Sequence, residues 1–307
     1  MSDILVYGEK DNSKFVYFLI ILLTMFCIWF CFSNDLYNLL IKGGVESSSD
    51  FFHDVLIAIF RTFCAYLAFH SLFFWMVFDK EGGFMYAHFY KKRESLPHRI
   101  WGLNRLVPFS SWNVLIFCLT FFLLSIISWM NILKLNIPEY IHILTSILFS
   151  TSLAMATLTA TIVTYVIIPT AIKKRDDYDY LFEKHQLVMH NWVVILIIAD
   201  LIITTPDLLW EYAIFGIIIG IIYTIFANIY AIFGGGFYVY HFIDSRLKFA
   251  PIIMTLLGLM IGLFYLFVWL GLQILEWNYL IGNIIFIGWV YSMVLFKPKL
   301  FDKKSLQ

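Results

Sequence analysis

Apolar runs long enough to cross a bilayer recur along this chain, and no soluble fold can bury so many of them. They are Phe15–Phe32, Val55–Phe78, Phe109–Met130, Ile141–Ile168, His190–Thr205, Tyr212–Phe233, Ile252–Leu272 and Trp277–Phe296. A helix of about 20 residues rises about 30 Å, the thickness of the hydrocarbon core. The pattern predicts an all-α, polytopic transmembrane bundle of about eight spans, forming a single transmembrane domain over residues 1–307. Charged residues make up only 14% of the chain, against about a quarter in a soluble domain. The formal net charge is zero, which argues against a nucleic-acid partner. Membrane lipids are the expected partners; the oligomeric state is left open. Cys27, Cys31, Cys64 and Cys118 all lie in apolar runs and read as packing residues, not as disulfides or metal ligands. The first span reads as retained, with no small-residue cleavage site after it.

The loops set the orientation. The stretch Asp79–Arg105 carries Lys80, Lys91, Lys92, Arg93, Arg99 and Arg105, with Tyr86, Phe89 and Tyr90 among them. That mixture suits a cytoplasmic loop on an anionic lipid surface. Lys173-Lys174-Arg175, Arg246 with Lys248, and the Lys303-Lys304 tail are basic too. Loops after spans one, three, five and seven are short or poor in Lys and Arg. Both termini are therefore expected to be cytoplasmic. The chain reads as an integral, multi-pass protein of the endoplasmic reticulum or plasma membrane.

Within this frame the stretch Glu183–Pro206 holds the chemistry-bearing residues. His190 opens the fifth apolar run, and Asp200 lies ten residues on, about 15 Å deeper, near the bilayer centre. Ionisable groups at such depth are functional candidates. Ser110 opens the third run at the same face. A serine hydroxyl is a poor nucleophile until a base takes its proton, and histidine is the usual base. A Ser110–His190 pair at the interface would suit attack on a lipid ester. Ser111, His185, Asn191 and His241 are alternative partners at that face. The plainer reading is that Ser and His are common at span ends, where water is available.

Asp200 is expected either to pair with Asn228 or a hydroxyl of span four, or to line a polar cavity. Arg61 is expected to snorkel to the near interface, and His70 to pack against helices. Gly216-x-x-x-Gly220 and the pair Gly258 and Gly262 allow close helix approach. His185 and His190 stand five apart and share no helix face, which disfavours a two-histidine metal site. No HExxH, paired CxxC or phosphate-cradling glycine motif occurs, so no metal or cofactor is expected. Gly234-Gly235-Gly236 follows an apolar helix and reads as a flexible turn.

Three ordered blocks carry a resemblance. Phe109-Ser110-Ser111-Trp112-Asn113 heads a span. His190 is followed ten residues on by an acid, and then by Pro206. The glycine turn runs into Phe237-Tyr238-Val239-Tyr240 and ends at Asp244. Over about residues 105–275 this resembles the androgen-induced-gene/rolling-stone family of multispan membrane proteins. Spans 15–32, 55–78 and 277–296 are additional to its shorter members. Some members are threonine-dependent hydrolases of fatty acid esters of hydroxy fatty acids. The resemblance implies a lipid-ester substrate, with Ser110 in the place of the threonine and His190 in that of the histidine. Asp200 takes the place of the family's acid, and Asp200, Asn191 and Asn113 are the cavity-lining candidates. Serine keeps the hydroxyl and loses the methyl that biases its rotamer. The rolling-stone branch implies instead a non-enzymatic protein of cell fusion, adhesion or membrane organisation. A transporter, suggested by Asp200 and His70 at membrane depth, is a third reading, though no inverted repeat is evident.

Overall fold

The computed structural model describes residues 5–42, 51–174 and 179–297. The Gly43-Gly44 and Ser47–Ser49 stretch, Arg175–Asp177 and the Lys303-Lys304 tail lie outside these residues.

Apolar side chains all around a helix can be satisfied only by lipid or by other helices, and the chain folds accordingly. Its helices are α1 (Ser13–Ser33), α2 (Leu36–Lys42), α3 (Phe51–Leu72), α4 (Phe109–Ile132), α5 (Glu139–Ile162), α6 (Ile168–Lys174), α7 (Lys184–Leu187), α8 (Val193–Thr204), α9 (Ala213–Phe233), α10 (Ala250–Trp277) and α11 (Tyr279–Met293). Wider π turns extend α3 (Phe73–Val77), join α5 to α6 (Val163–Ile167) and join α7 to α8 (Val188–Trp192). Among the described residues, seven helical segments are long and apolar enough to cross a membrane, and the apolar α11 is shorter. The result is an all-α, multi-pass bundle of about eight spans.

The central span is α5, the most enclosed, while α1 is the least. The buried face of α5 is built from small residues, Ser146, Ser150, Ser152, Ala154, Ala156 and Ala160. These let α4, α8, α9 and α10 close around it. The glycine pairs work within one chain. A methyl added at Gly216 or Gly220 would strike Ile261 of α10, and one at Gly262 would strike Ile217 of α9.

Connections alternate between two faces, as the basic-loop pattern requires. On one face Tyr37 Oη donates to Glu139 Oε1 (3.1 Å) and Tyr212 Oη donates to the Leu39 carbonyl (3.1 Å). On the other, the N-terminal segment, residues 79–108, residues 179–190 and residues 234–249 meet one another.

That second face carries a folded cap where the sequence suggested a plain loop. Strand β1 (Gly83–Phe89) pairs antiparallel with β2 (Glu94–Ile100), setting His88 opposite Ser95. A third strand, β3 (Phe237–Tyr238), pairs with the far edge of β1, giving the order β2-β1-β3. The glycine turn is part of this join: Gly236 adopts a positive φ of 76°, and its carbonyl accepts from Tyr90 N (2.9 Å). The chain's N-terminal segment lies across the cap. Lys248 N donates to the Val6 carbonyl (2.9 Å), and Asn12 Nδ2 donates to the carbonyls of Leu247 and Lys248. Tyr7 Oη donates to Asp244 Oδ2 (2.8 Å) and lies 2.6 Å from His88 Nε2. Arg246 grips both oxygens of Asp244, at 2.9 and 2.6 Å, and its guanidinium covers the Tyr90 ring at 3.8 Å. His88 stacks on His241 at 3.9 Å.

The buried histidine gives the cap a pH dependence. Burial, and next the stacked His241, push the His88 pKa down from 6.5 to about 4, with Asp244 pulling the other way and Arg246 adding to the fall. The unfolded chain therefore binds the extra proton between those values. This contribution to stability is complete above about pH 6.5 and declines as pH falls toward about 4. His88→Gln is expected to flatten the acid-side slope of thermal unfolding across that window. An unchanged slope would assign it to other groups.

Candidate functional site

Pro108 precedes α4 in an extended conformation and starts the helix at Phe109. The carbonyls just before it are taken up by side chains. Ser111 Oγ donates to the Arg105 carbonyl (2.8 Å), Trp112 Nε1 to Leu106 (3.1 Å) and Tyr223 Oη to Val107 (3.2 Å). Ser111 is thus occupied in building the helix head. Ser110, the second residue of α4, is buried at 9% exposure. Its hydroxyl meets the phenol of Tyr240, whose pKa burial raises while the Ser110 contact opposes the rise.

One turn on, Asn113 Nδ2 donates to the Met189 carbonyl (3.3 Å), so the head of α4 packs directly on the π turn that carries His190. The helical segment starts at Lys184, not at His190 as the apolar run suggested. His190 therefore lies more than a turn inside the span, and deeper than Ser110 relative to its helix end. Its Nε2 lies 2.9 Å from Gln186 Oε1. With that oxygen accepting, Nε2 holds the proton and Nδ1 is a bare lone pair. Nδ1 is buried and has no hydrogen-bond partner, and the same is true of Asn113 Oδ1. The two predicted catalytic side chains belong to packed, adjoining segments, but Ser110 and His190 are not hydrogen-bonded to each other.

The alternative partners have other duties. Arg105 is buried and donates to Asp79 Oδ2 (2.7 Å), to the carbonyls of Trp75 and Met76, and to His185 Nε2 (3.0 Å). A guanidinium only donates, so His185 Nε2 accepts and cannot serve as base to Ser110. His241 belongs to the stack on His88. Asn191 holds the backbone after α11, donating to the Leu295 carbonyl (2.7 Å) and accepting from its N–H (3.2 Å).

Two expectations are corrected. Arg61 does not snorkel; it is 0% exposed and donates through Nε and Nη2 to both oxygens of Asp200, at 2.8 and 3.0 Å. Its Nη1 donates to Ser128 Oγ (2.9 Å). Asp200 is accordingly partnered by span two, not by Asn228 or span four; Asn228 Oδ1 accepts from Tyr238 (3.0 Å). Asp200 also lies only four residues before α8 ends at Thr204, so it sits toward the face opposite Ser110. The signal was present in the sequence. Arg61 and Asp200 are opposite charges set about two turns or less inside the same face. His70, by contrast, packs as expected, among the rings of Tyr66, Phe74 and Trp75.

Searches against protein-family models, curated proteins and solved structures find no match to this chain.

Proposed function

We propose that this chain is a membrane-embedded hydrolase of lipid esters, with Ser110 as nucleophile and His190 as general base. One observation carries the reading. The bare Nδ1 of His190 and the bare Oδ1 of Asn113 are both buried where the head of α4 meets a π turn. An unpaired buried polar atom costs about 1–3 kcal/mol and calls for an explanation, and π turns concentrate at functional sites. A rotation of Ser110 about χ1, away from Tyr240, would aim its hydroxyl along the α4 face that Asn113 occupies. Its proton passes to Nδ1 as Oγ attacks the ester carbonyl. The alcohol leaves with that proton, and water then cleaves the acyl-serine. The resemblance supplies the substrate class, fatty acid esters of hydroxy fatty acids, and the endoplasmic reticulum or plasma membrane is the setting. The Arg61–Asp200 pair takes no part.

The non-enzymatic reading has its own support, since Tyr240 and Gln186 already partner the two side chains. A fluorophosphonate probe applied to membranes holding the protein separates them. The hydrolase is expected to label at Ser110, and Ser110→Ala and His190→Ala should each abolish that labelling at unchanged expression. An unlabelled Ser110 in the wild type, with labelling of other membrane hydrolases intact, supports packing.

A further inference from the structure

We infer that Ser95, His88, Tyr7 and Asp244 form a second nucleophilic centre, on the cap, that takes carboxylic esters presented at the membrane surface. It shares no residue with the Ser110 site. Its parts are already joined at rest. Ser95 Oγ lies 3.0 Å from His88 Nδ1, His88 Nε2 lies 2.6 Å from Tyr7 Oη, and Tyr7 Oη lies 2.8 Å from Asp244 Oδ2.

Counting protons fixes the direction of every bond. The Asp244 carboxylate, clamped by Arg246, can only accept, so the Tyr7 hydroxyl proton points to it. Tyr7 Oη must then accept from His88, which places the imidazole proton on Nε2. Nδ1 is left as the lone pair, and it accepts from Ser95. Burial keeps His88 neutral near pH 7, which leaves that lone pair available. This is the order of nucleophile, base and orienting acid that activates a hydroxyl, with a phenol inserted between base and acid.

Exposure is graded to match. Asp244 and His88 are buried, at 0% and 2%, while Ser95 is exposed on β2. Strand β2 is an edge of the sheet, which puts one side of its backbone outside the ladder, where the Ser95 N–H can meet an oxyanion although Pro97 offers none. The neighbouring turn exposes Lys91, Lys92 and Arg93, which draw the hairpin tip to anionic headgroups. In the reaction Ser95 Oγ bonds to the ester carbonyl carbon and its proton passes to Nδ1. The alkoxide leaves with that proton. Water, deprotonated by Nδ1, releases the carboxylic acid and restores Ser95. Nε2 keeps its proton throughout, and the imidazolium is stabilised through Tyr7 by Asp244.

The test uses the full chain in liposomes containing anionic phospholipid, a fluorophosphonate probe and peptide mapping of the adduct. The adduct is expected on Ser95, absent in Ser95→Ala and retained in Ser110→Ala. His88→Gln should slow labelling by about a hundredfold, the scale of general-base catalysis. Tyr7→Phe removes the bridging oxygen from a folded cap and should slow it by about tenfold or more, while Ser95→Thr restores part of it. An unmodified Ser95, or labelling there that ignores both His88→Gln and Tyr7→Phe, overturns the inference. An adduct on Ser95 but not on Ser110 would uphold this centre and overturn the preceding proposal.

Discussion

Arg61→Leu and Asp200→Leu, made singly, are each expected to destabilise the protein by about 3–5 kcal/mol, because each strands a charge inside the bundle. The guanidinium uses Nε and Nη2 on Asp200 and Nη1 on Ser128, at 0% exposure, so no water stands ready to replace a lost partner. The double change Arg61→Leu/Asp200→Leu should recover most of that loss. It removes both charges together, and with them both desolvation costs. Thermal unfolding in detergent, compared as a double-mutant cycle, measures this. A double variant as unstable as either single one would show that the cost comes from packing and not from a stranded charge. Ser110 lies toward the opposite face, so probe labelling should survive in the double variant.

The second large effect is steric. A side chain on Gly282 would run into the Cα of Leu275, a backbone atom that cannot swing aside. Gly282 is what lets α11 fold back on α10 so soon after Asn278. Gly282→Val is expected to lower stability by about 1–3 kcal/mol, as overpacking does, and to lift α11 away from Phe286's seat against Gly271. Gly288, on the same helix, has open space where its Cβ would be. Gly288→Ala should be neutral or gain up to about 1 kcal/mol from helix propensity. Unfolding midpoints of the two variants check the pair, and similar losses in both would refute the packing argument.

Much of the bundle was legible because a bilayer leaves few options: apolar length gives the spans, and lysine and arginine give the faces. Boundaries followed less well. The fifth span starts at Lys184 because His185, Gln186 and His190 find partners inside the protein, so polarity there did not mark the end of the helix. The cap was hidden for a different reason. Strand β1 carries no charged side chain, β2 contains Pro97, and the sheet is closed by Phe237–Tyr238 from far along the chain, so no local alternation announced them. Ser110 and His190 were found as residue types at span heads. Their hydrogen bonds to Tyr240 and Gln186 depend on rotamers that no spacing encodes. Arg61 and Asp200 were each noticed, but their pairing joins positions 139 residues apart.

The lock between Tyr7 and Asp244 joins residues 237 positions apart, and that separation orders the protein's biogenesis. A ribosome adding about 5–20 residues per second delivers Asp244 at least about ten seconds after Tyr7. Throughout that interval the segment around Tyr7 lacks its partner Asp244, and α1 enters the bilayer before α9 and α10, the helices it rests on, have been made. Span α1 is thus seated only once α9 and α10 have followed it into the bilayer. A bulky fusion placed just before Tyr7 would interfere as its contact with Asp244 closes.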